Sequence, residues 1–105
     1  NMNQMMKQMQ KMQAEMEAAQ QALEEAVVEG SAGGGKVKAT VTGSGELTAV
    51  SISPDVVDPE DVEMLEDLVA VAVGEAQRKA TDLAQQEMGK LTGGLNLPFP
   101  FKLPF

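Results

Sequence analysis

Three groups of residues in this chain have types and spacings that chemistry uses. The most suggestive is the run from Gly30 to Lys36, which reads G-x-x-x-x-G-K. A phosphate-binding loop has that spacing because its glycines let backbone N–H groups cradle phosphate oxygens while the lysine reaches the terminal phosphates. It also needs Ser or Thr after the lysine for magnesium, and a helix whose N-terminus faces the anion. Here Val37 follows Lys36, and the helical pattern precedes the glycines while the strand pattern follows them. The glycines are therefore read as a turn feeding a hairpin, at the junction between a projecting helix and a sheet.

The second group is the carboxylate cluster Asp55, Asp58, Glu60, Asp61, Glu63, Glu66 and Asp67. Carboxylates at this density hold divalent cations when spaced D-x-D-x-D-G, a spacing absent here, and several of these serve a helix N-terminus equally well. They are read as a solvated acidic face. The third group is the serines Ser31, Ser44, Ser51 and Ser53, which have no histidine to activate them because the chain contains neither His nor Cys. Imidazole bases, thiolate nucleophiles, disulfides and the commonest zinc ligands are all missing together. No catalytic residue, metal ligand, cofactor or small-molecule substrate is assigned, and the reading is a protein that is not an enzyme.

These groups hang on few elements. A chain of 105 residues suffices for one compact domain. Its longest apolar run, Leu68 to Val73, is far below the roughly 18 residues of a membrane helix, and no basic-then-apolar leader opens it. The expectation is a cytoplasmic protein without a membrane partner. From Met2 the apolar residues fall at Met5, Met9, Met12, Met16, Ala19, Leu23 and Ala26, alternating three and four apart, so a helix with a narrow seam is expected over 3–26. Short β-rich segments follow at about 27–31, 36–42 and 47–53, the second alternating Val37, Ala39 and Val41 with polar residues. Asp58 before Pro59, with Glu60 and Asp61 behind, reads as a helix start. A second long helix over 59–90 is expected, its stripe formed by Val62, Leu65, Val69, Ala72, Ala76, Ala80 and Leu83. Residues 1–92 thus form one α+β domain, and 93–105 a tail that holds all three phenylalanines and three of the five prolines, expected to be extended.

Charge is divided unevenly among these parts. The net charge is −8, yet residues 1–13 hold Lys7 and Lys11 without an acid, and residues 78–105 hold Arg78, Lys79, Lys90 and Lys102 against Asp82 and Glu87. Helices of about 35 to 45 Å overhang strands of about 23 Å, so antiparallel packing would bring both basic ends together on projecting arms, away from the acidic base. An exposed methionine seam (Met5, Met9, Met12, Met16, with Leu23) needs a cover that one further helix supplies only in part, which points to a homodimer. Doubled, the basic arms would make a salt-sensitive grip on DNA phosphates, while no motif for base readout is present.

The run "GGGKVKAT" (Gly33 to Thr40), the strand "VSISP" (Val50 to Pro54), the segment "LEDLVAVAVGEA" (Leu65 to Ala76), the late "LTGGL" (Leu91 to Leu95) and the Met/Gln-rich opening helix resemble the YbaB/EbfC family of bacterial nucleoid-associated proteins. The resemblance spans nearly the whole chain, with Gly74 standing where relatives usually carry Asn. It implies an α-β-β-β-α protomer with a small antiparallel sheet and two long helices, and a tweezer-like homodimer with protruding arms. It further implies loosely specific binding of double-stranded DNA in the bacterial nucleoid, where the protein would help to organise the chromosome. On this reading Lys7, Lys11, Arg78, Lys79 and Lys90 are the candidate DNA contacts. The competing reading is a protein-interaction module that uses the Met seam and the tail "LPFPFKLPF" to build assemblies, larger than a dimer if the tail inserts into a neighbour, with DNA contact indirect.

Overall fold

The structure is a computed structural model that describes residues 1–93. The tail from Gly94 to Phe105, including Lys102, lies outside the described residues. The element order is α1 (Met2–Glu25), β1 (Val27–Ala32), β2 (Val37–Thr42), β3 (Leu47–Ile52), a single 3-10 turn (Pro54–Val56) and α2 (Val62–Gly93). This is the expected α-β-β-β-α protomer, with three antiparallel strands in the order β1-β2-β3. It is long and thin, at 71 × 26 × 17 Å.

One face of the sheet is apolar. Cross-strand partners share a face, so Val28, Gly30 and Ala32 on β1 lie with Val41, Ala39 and Val37 on β2, and these in turn with Leu47, Val50 and Ile52 on β3. Helix α2 covers that face over β1 and β2, burying Val37, Ala39 and Val41 against Ala72, Ala76 and Ala80. Its small side chains bring the helix close enough to need a glycine opposite. A β-carbon on Gly30 would overlap the Ala72 carbonyl and the Ala76 amide. Strand β3 lies beyond the helix and is exposed at every residue.

Helix α1 meets this core only at its foot. Asn1 caps its start, Oδ1 accepting from the Asn3 amide at 3.1 Å, and Leu23 is its single buried residue. Leu23 sits on the β2–β3 turn so closely that a β-carbon on Gly43 would come within 3.0 Å of Leu23 Cα. Every seam methionine is exposed, from Met5 at 63% through Met9 at 68% to Met16 at 45%. Within one protomer the seam is therefore covered at Leu23, and its methionines stay exposed.

Two local expectations are corrected. The glycines do not join arm to base: β1 stands between α1 and Gly33, and the junction is Ala26, whose φ of −68° and ψ of 145° end the helix in extended backbone. Gly33, Gly34 and Gly35 instead form the β1–β2 turn at φ of 63°, 71° and 90°, a left-handed stretch only glycine adopts freely. Helix α2 begins at Val62 rather than at 59. Asp58 turns its carboxylate onto the Glu60 amide at 2.9 Å and its carbonyl onto the Asp61 amide, closing a turn around Pro59. Asp61 then caps the helix, accepting from the Met64 amide at 3.2 Å.

Candidate nucleic-acid interface

The direction of α2 along β1 fixes where charge lies. Gly33 faces Leu68, Gly30 faces Ala72 and Ala76, and the Lys79 ammonium donates to the Glu29 carbonyl at 3.1 Å, so α2 runs antiparallel to β1. The α2 N-terminus and its carboxylates therefore lie at the glycine-turn end of the sheet, while α1 departs from the opposite end. Lys36 reaches Asp55 at 3.9 Å in that acidic region. With Asp58 and Asp61 already holding backbone amides, the cluster is occupied with local structure. Among the described residues no group of three or more His, Cys, Asp or Glu is arranged to hold a metal ion.

The five candidate cations are not equivalent. Lys7 and Lys11, four apart on α1, are exposed and make no ion pair among the described residues. At about 100° per residue Lys7 stands about 170° and Lys11 about 130° around the helix from the mean direction of Met5, Met9, Met12 and Met16. Seam and cations thus occupy opposite faces of one arm. Gln4, Gln8 and Gln10 surround the lysines with neutral hydrogen-bonding groups, the nearest acids along the helix being Glu15 and Glu17.

Arg78 and Lys79 lie at the level of the sheet, where sequence alone put them on a projecting arm. Lys79 is engaged twice, with the Glu29 carbonyl and with Glu75 Oε1 at 3.1 Å. The Lys79 hydrogen bond is the main reason the Glu75 carboxyl lies below the usual carboxylate range; desolvation opposes it, and the Lys79 charge, the Ser31 amide and the Arg78 charge add to the lowering. Arg78 is exposed beside this pair. Lys90, on the projecting part of α2, pairs with Glu87 at 3.4 Å. The sequence could not reveal the Lys79–Glu29 contact, because the two residues are 50 apart and meet only once α2 has docked.

A shallow groove on α1 itself, lined by Met9, Met12, Gln13 and Met16, holds about 270 Å³. Its walls belong to one helix, so it is the unpartnered seam and not a pocket between elements. Among the described residues no helix is long and apolar enough to cross a membrane.

The fold is a small open sheet backed by one long helix, with a second helix projecting from it that carries Lys7 and Lys11 on the face opposite its methionines. The chain belongs to the YbaB/EbfC DNA-binding family, whose model matches residues 1–95. That family is defined by DNA binding and not by catalysis. A nucleoid-associated protein of Alkaliphilus metalliredigens is 58% identical over 93% of this chain and 86% of its own length. One of Staphylococcus epidermidis is 62% identical, covering 93% of both chains. Among solved structures, an uncharacterized protein of Helicobacter pylori superposes with a TM-score of 0.64 over 90% of this chain and 96% of that one; at 18% identity it supports the fold alone.

Proposed function

We propose that the protein is a nucleoid-associated homodimer in the bacterial cytoplasm that binds duplex DNA through its helical arms with little sequence preference and helps to organise the chromosome. One observation carries the reading: on α1 the unpaired Lys7 and Lys11 stand opposite an uncovered methionine seam. Two seams packed together turn the lysines outward, which presents four unpaired ammonium groups per dimer to phosphates. Arg78 supplies further positive charge, while Lys79 and Lys90 contribute less because Glu75 and Glu87 compensate them. Family membership and the names of the relatives support DNA as the partner.

Backbone contacts are sequence-tolerant because phosphates are the same at every step, and each neutralised phosphate releases condensed counterions. The net charge of −8 repels DNA as a whole, so binding depends on the arms presenting their cations while the acidic base stays remote. A salt titration of fluorescence anisotropy on duplexes of unrelated sequence tests this. Four phosphate contacts give a slope of log affinity against log salt of about −4. Absence of binding at low salt, or affinity indifferent to Lys7→Glu with Lys11→Glu, overturns the reading.

A further inference from the structure

The free edge of β3 and the sequence of the tail share a parity that fits one to the other. In a strand, side chains alternate between faces and backbone groups alternate between edges, both with a period of two. The Ser53 amide donates to the Lys36 carbonyl at 2.8 Å, so odd positions of this segment turn toward β2. Val50 and Ile52 consequently turn their N–H and C=O groups to the open edge. They also carry side chains on the apolar face, where α2 leaves each of them 39% exposed. Outward hydrogen-bonding capacity and uncovered apolar surface therefore coincide at the same residues.

The tail has the complementary pattern. Leu95, Leu97, Phe99, Phe101, Leu103 and Phe105 occupy every odd position, and Asn96, Pro98, Pro100, Lys102 and Pro104 every even one. As a strand it would carry all its large apolar side chains on one face, with the N–H groups of those same residues along one edge. Its other edge would be broken by three prolines, which have no N–H to give. In antiparallel pairing, residues whose backbone groups face each other also share a face of the sheet; in parallel pairing the facing residues lie on opposite faces. Only the antiparallel arrangement sets the Leu and Phe side chains beside Val50 and Ile52 while their N–H groups meet β3. Lys102 and Asn96 would then join Lys38, Thr40 and Ser51 on the polar face.

We propose that residues 95–105 of a second copy add to β3 as a fourth, antiparallel strand, linking chains through their tails. Chain length argues for a second copy over the same one. Ala80 is the last α2 residue in the core, and the helix from there to Gly93 carries the chain about 20 Å away. Returning would use about six extended residues and leave half the alternation unpaired. The alternation begins at Leu95, two residues after the helix, so it is all available to a neighbouring sheet. The prolines give the added strand a second property: its outer edge cannot accept another strand, so each sheet gains one strand and no more.

The chain has no cysteine, so single-cysteine variants report the pairing without background. Val50→Cys is mixed with Phe99→Cys, Phe101→Cys or Leu103→Cys, and separately with Pro100→Cys or Lys102→Cys, under oxidised glutathione. Disulfide-linked heterodimers are expected with at least one odd-numbered partner and with neither even-numbered one. Equal linking at both parities, or no linking at odd positions, overturns the proposal. So does a Val50→Cys/Phe101→Cys double variant that closes only within single chains while the mixtures stay unlinked. Replacing Pro98, Pro100 and Pro104 by Thr restores the missing N–H groups; light scattering then reads a mass that climbs with concentration, and an unchanged mass overturns the capping role. These readouts contain no DNA, so they fail or succeed independently of the nucleoid function.

Discussion

Gly30 and Ala76 meet main chain to main chain: a β-carbon on Gly30 would lie 2.9 Å from Ala76 Cα and overlap its amide nitrogen. The obstruction is backbone on a helix seated in the core, so it cannot swing aside as a side-chain tip would. Gly30→Ala must lift α2 off β1, and overpacking of this kind costs about 1–3 kcal/mol. Thermal unfolding followed by circular dichroism should show a midpoint lower by about 4–8 °C for each kcal/mol lost. An unchanged midpoint would mean that the helix does not sit where the core places it.

Gly74, two residues earlier on the same helix, behaves in the opposite way. A β-carbon there meets only Arg78 Nη1, at 3.6 Å, an ordinary contact. Gly74→Ala removes the backbone freedom of a mid-helix glycine from the unfolded chain, a gain of about 0.5–1 kcal/mol. Urea unfolding should move its midpoint upward with an unaltered slope.

Glu75 and Lys79 give the base a pH-sensitive link. The Glu75 carboxyl is held below its ordinary range chiefly by the Lys79 hydrogen bond. A depressed folded-state value favours the folded state above the ordinary carboxylate range, and that contribution is lost as pH falls through the lowered value. Side-chain carboxyl NMR should show Glu75 titrating below the ordinary glutamate range, and Lys79→Met should raise it toward that range. A Glu75 titration insensitive to Lys79→Met would contradict the pairing.

The cations should separate by location. Lys7→Gln with Lys11→Gln is expected to make the salt dependence of DNA binding shallower by about 3 to 4 per dimer, given about 0.9 for each phosphate contact. Lys79→Gln should change the slope less, because its charge is already compensated by Glu75. A larger slope change at Lys79 would move the interface from the arm to the sheet.

The seam makes its own prediction. Placing a charge at Met9 or Met12, both exposed on the lone arm at 68% and 43%, costs nothing within a protomer but opposes the packing of two arms. Met9→Lys with Met12→Lys should give a monomer by sedimentation velocity with unfolding of the base unaltered. A retained dimer would show that the copies join elsewhere.

Much of this architecture was legible because it rests on local periodicity. The 3-4 spacing of methionines announces α1, and the alternation of Val37, Ala39 and Val41 announces β2, each from residues that are neighbours in the chain. What escaped depends on contacts between distant segments. Nothing near Gly30 says that α2 will press on it, and nothing near Lys79 names Glu29. The start of α2 was misplaced for a related reason: Asp58-Pro59 carries every sign of a cap, yet Asp58 is consumed in a turn and Asp61 takes the position. The charge pattern located the basic residues in sequence but not in space, since Arg78 and Lys79 were grouped with an arm and stand over the sheet.

Helix α1 is a lever with its fulcrum at Ala26. It extends about 36 Å at about 1.5 Å per residue, and Leu23 near its foot is its one buried residue. A rotation of about 10° at Ala26 sweeps the far end through about 6 Å, comparable to the width of a DNA minor groove. Lys7 and Lys11 ride near the long end, where displacement is greatest. The direction of the arm thus follows the two backbone angles at Ala26, and a glycine at position 26 would alter it without touching a charge.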